Sequence, residues 1–90
     1  MPRALTYHRF EVAEPERAAV LGAARERGRL LRSSGCNHWL FEAANARGEF
    51  LEFTEAASAE RLAAAQSDAA MPGRPHSKSG SPLFLEVSLD

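Results

Sequence analysis

Apolar and polar positions change their period along the chain, and each change marks an element. Residues 5–12 alternate β-branched, aromatic and charged side chains, the period of two that a half-buried strand requires. Pro15 then fixes φ and removes an N–H where a first helical turn tolerates both, with Glu14 and Glu16 beside the positive end of the helix dipole. That helix is predicted to run to Arg32 and stop at Ser33-Ser34-Gly35, where Gly35 supplies a left-handed cap. On its wheel Val20, Ala24 and Leu31 align, flanked by Leu21 and Ala23, with Gly28 in the same stripe. A glycine costs about 1 kcal/mol relative to alanine in a helix interior, so a close approach by a neighbour is expected at Gly28. Arg27 interrupts the stripe and is expected to snorkel, its stem covering apolar surface and its head in water.

Residues 36–43 and 49–54 are two aromatic-rich runs joined by a polar connection holding Asn45 and Gly48, which reads as a hairpin. A turn centred on Ala46 sets Trp39 opposite Phe53, Phe41 opposite Leu51, Leu40 opposite Glu52 and Glu42 opposite Phe50. Thr54 or Ser58 is suited to cap a second, alanine-rich helix that should end near Ala70. Residues 71–82 contain three prolines and two glycines, too many breakers for regular structure. Leu83, Leu85, Val87 and Leu89 then alternate strictly and predict a closing strand.

Strand, helix, strand, strand, helix, strand is the order of the ferredoxin-like α+β arrangement. Two right-handed crossovers place both helices on one side of a four-stranded antiparallel sheet of spatial order 4-1-3-2, with residues 1–90 forming one domain. The helix-covered face is expected to carry His8, Phe10 and Val12, then Trp39, Phe41, Leu51 and Phe53, and the four apolar residues of the last strand. The opposite face is expected to carry Tyr7, Arg9, Glu11, His38, Leu40, Glu42, Phe50, Glu52, Thr54, Phe84, Glu86 and Ser88. Aromatic and ionisable groups mixed on one face suit an interface or a ligand cavity better than open water or a second plain core.

The candidate chemistry lies on that mixed face. Burial beside other carboxylates raises a glutamate toward the working range of an acid or base, which makes His38, Glu52 and Glu86 catalytic candidates. Arg9 is placed with them to orient an anionic substrate, or else to neutralise one of the acids. Tyr7, Leu40, Glu42, Phe50 and Phe84 are the candidate ligand contacts, the rings stacking on a planar molecule. The competing reading of the same residues is a network of interface ion pairs and packed rings. His38 with Glu52 or Glu86 would have to assemble a metal site from separate strands with no supporting sequence spacing, so no metal is expected. His8 belongs with the core and His76 with the breaker-rich loop.

Charge and cysteine content narrow the classes. A formal net charge of −1 provides no broad field for a nucleic acid or an anionic membrane surface, and the acids on the mixed face would repel phosphate. Cys36 is the single cysteine, which excludes an internal disulfide, a zinc-type ligand spacing and a Cys-x-x-Cys metallochaperone loop; a reducing cytoplasm is the expected location. The first residues lack the apolar core of a signal peptide, and no stretch approaches the roughly 20 apolar residues of a membrane span.

With this element order, the hairpin segment Trp39-Leu40-Phe41-Glu42, and Glu52-Phe53-Thr54-Glu55 running into Ser58-Ala59-Glu60-Arg61-Leu62, the chain resembles the dimeric α+β barrel superfamily and, within it, the antibiotic-biosynthesis-monooxygenase-like domains. The resemblance implies a homodimer in which two sheets pair face to face, enclosing the mixed face. It also implies a small-molecule-binding role, as a monooxygenase-like enzyme without a dedicated cofactor acting on an aromatic or quinone-like substrate. The alternative is a non-catalytic dimerisation or ligand-sensing domain. Monooxygenase members tend to place an Asn, a Trp and an Arg around the substrate; the first strand here holds no Asn, so the resemblance assigns no catalytic residue.

Overall fold

Ala4–Glu11 forms strand β1, which pairs along its whole length with Glu49–Ala56 (β3). On the far side of β3 lies Asn37–Glu42 (β2), and on the free side of β1 lies the short Leu83–Leu85 (β4), giving the antiparallel order β2-β3-β1-β4. A 3-10 turn at Glu14–Glu16 leads into helix α1 (Arg17–Ser33), and α2 spans Ala59–Gln66. The structure, a computed structural model, describes residues 2–76, 78, 80 and 82–89. The ferredoxin-like α+β architecture and the strand order are those expected from the pattern of elements. Among the described residues no helix is long and apolar enough to cross a membrane.

Local chemistry explains the ends. Ser58 accepts a hydrogen bond from Arg61 N at 3.2 Å and so caps α2. The helix stops four residues before Ala70, where Ser67 and Asp68 fold back: Asp68 Oδ1 accepts from Ala70 N and competes with a further helical turn. Gly35 ends α1 at φ +84°. Gly48, at φ +89°, closes the hairpin so tightly that a Cβ there would sit 2.5 Å from Val12 O, while Val12 N donates to Gly48 O at 2.8 Å. The end of β1 is thereby tied to the hairpin turn.

The hairpin register is the expected one, with Trp39 opposite Phe53 and Leu40 opposite Glu52. Its faces are reversed. β3 docks on β1 with Tyr7 opposite Phe53 and Arg9 opposite Leu51, so Trp39, Phe41, Leu51 and Phe53 point away from the helices. His38, Leu40, Glu42, Phe50, Glu52 and Thr54 lie on the helix-covered side instead, with Phe50, Glu52 and Thr54 buried. The cause is the inward face of α1, which offers Ala24, Gly28 and a fully buried Arg27. An arginine aimed at the sheet needs a carboxylate beneath it, not a phenylalanine. Arg27 therefore does not snorkel.

The helix-side core is correspondingly modest. Ala4, Leu31, Cys36, Ala56, Leu62 and Ala65 cluster together, and Phe10 stacks on Phe50 at 5.7 Å. The last strand does not seal this core as expected. β4 stops at Leu85, Leu83 and Leu85 stay half exposed, and Val87 and Leu89 are 73% and 94% exposed because no helix reaches over that edge.

Candidate functional site

The two faces of the sheet carry different chemistry. Under α1, Glu52 is fully buried and accepts two parallel hydrogen bonds from Arg27, Nε to Oε2 at 2.9 Å and Nη2 to Oε1 at 2.7 Å. His38 Nε2 lies 2.6 Å from Oε2, and Arg74 Nε reaches Oε1 at 3.4 Å from the segment after α2. The third arm of Arg27 donates from Nη1 to Gly73 O at 3.0 Å, so one guanidinium fastens α1 to both the sheet and the crossing segment.

Burial pushes the Glu52 carboxyl up, but the hydrogen bonds from His38 and Arg27 and the charges of Arg27 and Arg74 outweigh it and hold the group at about 2. Glu52 is thus an ionised acceptor, and the hydrogen bond from His38 must be donated by Nε2–H. In the neutral ring that leaves Nδ1 as the acceptor atom. His8, opposite Glu52 on β1, is shifted down to about 4, first by burial and then by Arg74.

These shifts set an acid-stability profile. Between its ordinary 6.5 and its folded value of about 4, His8 binds protons more readily in the unfolded chain, so its contribution is complete above pH 6.5 and is lost as pH falls toward 4. Glu52 behaves likewise between 4.5 and about 2. Melting temperature followed by circular dichroism is expected to drop in two steps through these windows, and His8→Gln to erase the upper one. A flat profile down to pH 4.5 would contradict the assignment.

On the opposite face, rings run across the sheet. Phe41 meets Phe53 edge-on at 5.8 Å, Phe53 meets Tyr7 at 6.3 Å, and Tyr7 stacks on Phe84 at 5.7 Å with 17° between planes. Trp39, Phe41 and Phe84 remain 45%, 55% and 49% exposed. Two open depressions of about 420 Å³ each lie along this face, one holding Tyr7, Arg9, Phe41 and Phe53, the other Leu5, Trp39, Phe84 and Glu86.

The expected site residues are therefore divided. His38 and Glu52 are in contact under α1, with Leu40 beside His38. Tyr7, Arg9, Phe84 and Glu86 belong to the aromatic side, where Arg9 pairs with Glu49 at 3.4 Å. Glu42 accepts two hydrogen bonds from Arg17 and one from Gly48 N, which hold it at about 2. Phe50 is buried under the Arg17 guanidinium, 5.4 Å from its ring centre. Arg27 and Arg74 complete the charged cluster, and neither was anticipated there. A signal existed for Arg27, a basic residue inside an apolar stripe, to be matched with Glu52 inside an apolar strand; Arg74, in a segment without period, gave none.

Neither a protein-family profile nor a curated protein sequence matches the chain. Among solved structures it superposes on a conserved protein of unknown function from Bacteroides thetaiotaomicron, described as a possible oxidoreductase, with TM-score 0.67, 22% identity and 94% of each chain covered. It also superposes on Rv0793 from Mycobacterium tuberculosis, with TM-score 0.61 and 20% identity over 100% of this chain and 97% of that one. At such identities the likeness is one of fold.

Proposed function

We propose that two copies of this chain associate through their aromatic sheet faces, as in a dimeric α+β barrel, and hold a planar phenol or quinone between them as an oxidoreductase of monooxygenase-like type. The observation that carries the reading is the row Phe41, Phe53, Tyr7 and Phe84, which lies on the side of the sheet that no helix covers. Aromatic faces left partly wet favour burial against an equally apolar surface or a flat ligand. The two depressions on this face offer room for a ring system, and Arg9 at the rim of one of them would attract a phenolate. Oxidation of a phenol by dioxygen to a quinone and water balances without an outside reductant, so such a site needs orientation and exclusion of water above all. The fold shared with a protein described as a possible oxidoreductase is in keeping with this reading.

Light scattering combined with thermal-shift screening against planar phenols and naphthoquinones tests it. A mass of two chains and a ligand-dependent rise in melting temperature are expected. A monomer that no compound stabilises would overturn the proposal; a dimer stabilised by none of them would leave an assembly role alone.

A further inference from the structure

A second candidate site lies on the other side of the sheet and does not depend on pairing. Most arginines are engaged by a glutamate, as Arg3 is by Glu55 and Arg17 by Glu42. Arg25 and Arg32 have no carboxylate partner among the described residues, and both border one depression of about 280 Å³ between α1 and the outer edge of β2. Positions 25, 28 and 32 follow one another along a single helix face. Between the two arginines, then, stands a glycine.

That glycine makes the site. A Cβ at position 28 would lie 2.7 Å from His38 Nδ1 and 3.0 and 3.1 Å from the Arg32 Nη1 and Nη2 atoms. Its absence leaves the space in which the imidazole and the guanidinium approach each other. Glu52 accepts a hydrogen bond from the other ring nitrogen at 2.6 Å, and in the neutral ring Nδ1 is then left as the acceptor. The groove thus combines two cations, one acceptor and an apolar wall made by Leu21, Ala24 and Leu40.

An acceptor beside two cations calls for a ligand that is negative yet carries its own O–H. A bare carboxylate would satisfy the arginines but face the Nδ1 lone pair without a donor. The volume falls just below the roughly 300–1,000 Å³ of usual ligand pockets, which limits the ligand to a small molecule. We infer that this groove binds a small amphiphilic oxyanion bearing an O–H, a 2-hydroxycarboxylate or the monoanion of a phosphate monoester. Arg25 and Arg32 neutralise it, His38 Nδ1 accepts its O–H, and Leu21 and Leu40 contact its apolar end.

The test titrates the full chain with 2-hydroxyisocaproate, phenyl phosphate and isocaproate, reading the His38 ring nitrogens in long-range proton–nitrogen NMR spectra. A saturable shift of Nδ1 is expected with at least one of the first two, and whichever binds more tightly identifies the source of the oxyanion. Isocaproate, which lacks the hydroxyl, should bind about tenfold more weakly. The exposed double variant Arg25→Gln/Arg32→Gln should keep its melting temperature and lose about tenfold in affinity. Gly28→Ala should abolish the Nδ1 response, because its Cβ crowds His38 Nδ1 and pushes the Arg32 guanidinium aside. Absence of a saturable shift with both hydroxylated ligands, or undiminished affinity in the arginine double variant, overturns the inference. Either result leaves the aromatic-face proposal standing.

Discussion

Glu52→Ala is expected to destabilise the fold by about 3–5 kcal/mol, most of what a domain of this size holds in reserve. Both partners of the Arg27–Glu52 pair are fully buried. Removing the acid strands a guanidinium whose remaining acceptor is Gly73 O, and takes from His38 the group that fixes its ring. The loss exceeds the net worth of the pair because an unpaired charge is left out of water. For the same reason Arg27→Met/Glu52→Leu, which removes both charges and keeps the volume, is expected to recover part of the loss, the remainder falling on Arg74 and His38, which lose the same carboxylate. Urea denaturation midpoints decide the matter. Were the single variant as stable as the parent, or the double variant no better than the single, the pair would not be the clamp between α1 and the sheet.

The same pair shows where sequence reading succeeds and where it stops. Element order and hairpin register were legible because each depends on local signals: Pro15 and Gly35 at the ends of α1, Gly48 at the turn, and aromatic residues that match across two neighbouring runs. Gly28 also announced itself as a point of close approach, and the His38 ring is what approaches. The face of the hairpin was not legible, since period two fixes which residues go together and leaves open which side they take. That choice is made by contacts between elements 25 residues apart, Arg27 with Glu52. Taken singly, Arg27 reads as a snorkelling surface residue and Glu52 as an acid on a wet face. Taken together, they are two polar interruptions of apolar patterns, and the inexpensive way to bury both is against each other. Once Glu52 turns inward, alternation sends Leu51 and Phe53 outward, and Trp39 and Phe41 follow through their cross-strand partners.

This coupling explains why the expected mixed face resolved into two specialised ones. The helix side collects the charged cluster around Glu52, and the open side collects the rings. A chain of 90 residues with so alanine-rich a core gains little from its own interior, so covering the aromatic face is the largest stabilisation still open to it. The four strands, 25 residues in all at about 3.4 Å per residue and about 4.8 Å apart, present roughly 400 Å² of flat footprint, and pleating and side chains enlarge it. Two such faces bring the total near the 1,200 Å² at which specific interfaces begin.

Phe53→Asp is therefore expected to break the proposed association while sparing the protomer. Phe53 sits at the middle of the ring row, flanked by Tyr7 and Trp39 as direct cross-strand partners and touching Phe41 edge-on. Phe53 is only partly buried in the single chain, so an aspartate there reaches water, and the unfolding free energy should fall by about 1–2 kcal/mol, chiefly through the lost ring contacts. In the pair the same carboxylate would be buried among aromatic rings, with the Arg9 of that depression already paired with Glu49. Central aromatic positions of this kind carry about 2–4 kcal/mol of binding, equivalent to roughly 30- to 1,000-fold in the dimer dissociation constant. Val87→Asp, at the exposed margin beyond β4, should cost far less than the central change. Sedimentation equilibrium over a concentration series measures all three chains. Equal dissociation constants for the parent and Phe53→Asp, with the fold of both intact, would place the interface elsewhere on the molecule and leave the aromatic row to a ligand or a different partner.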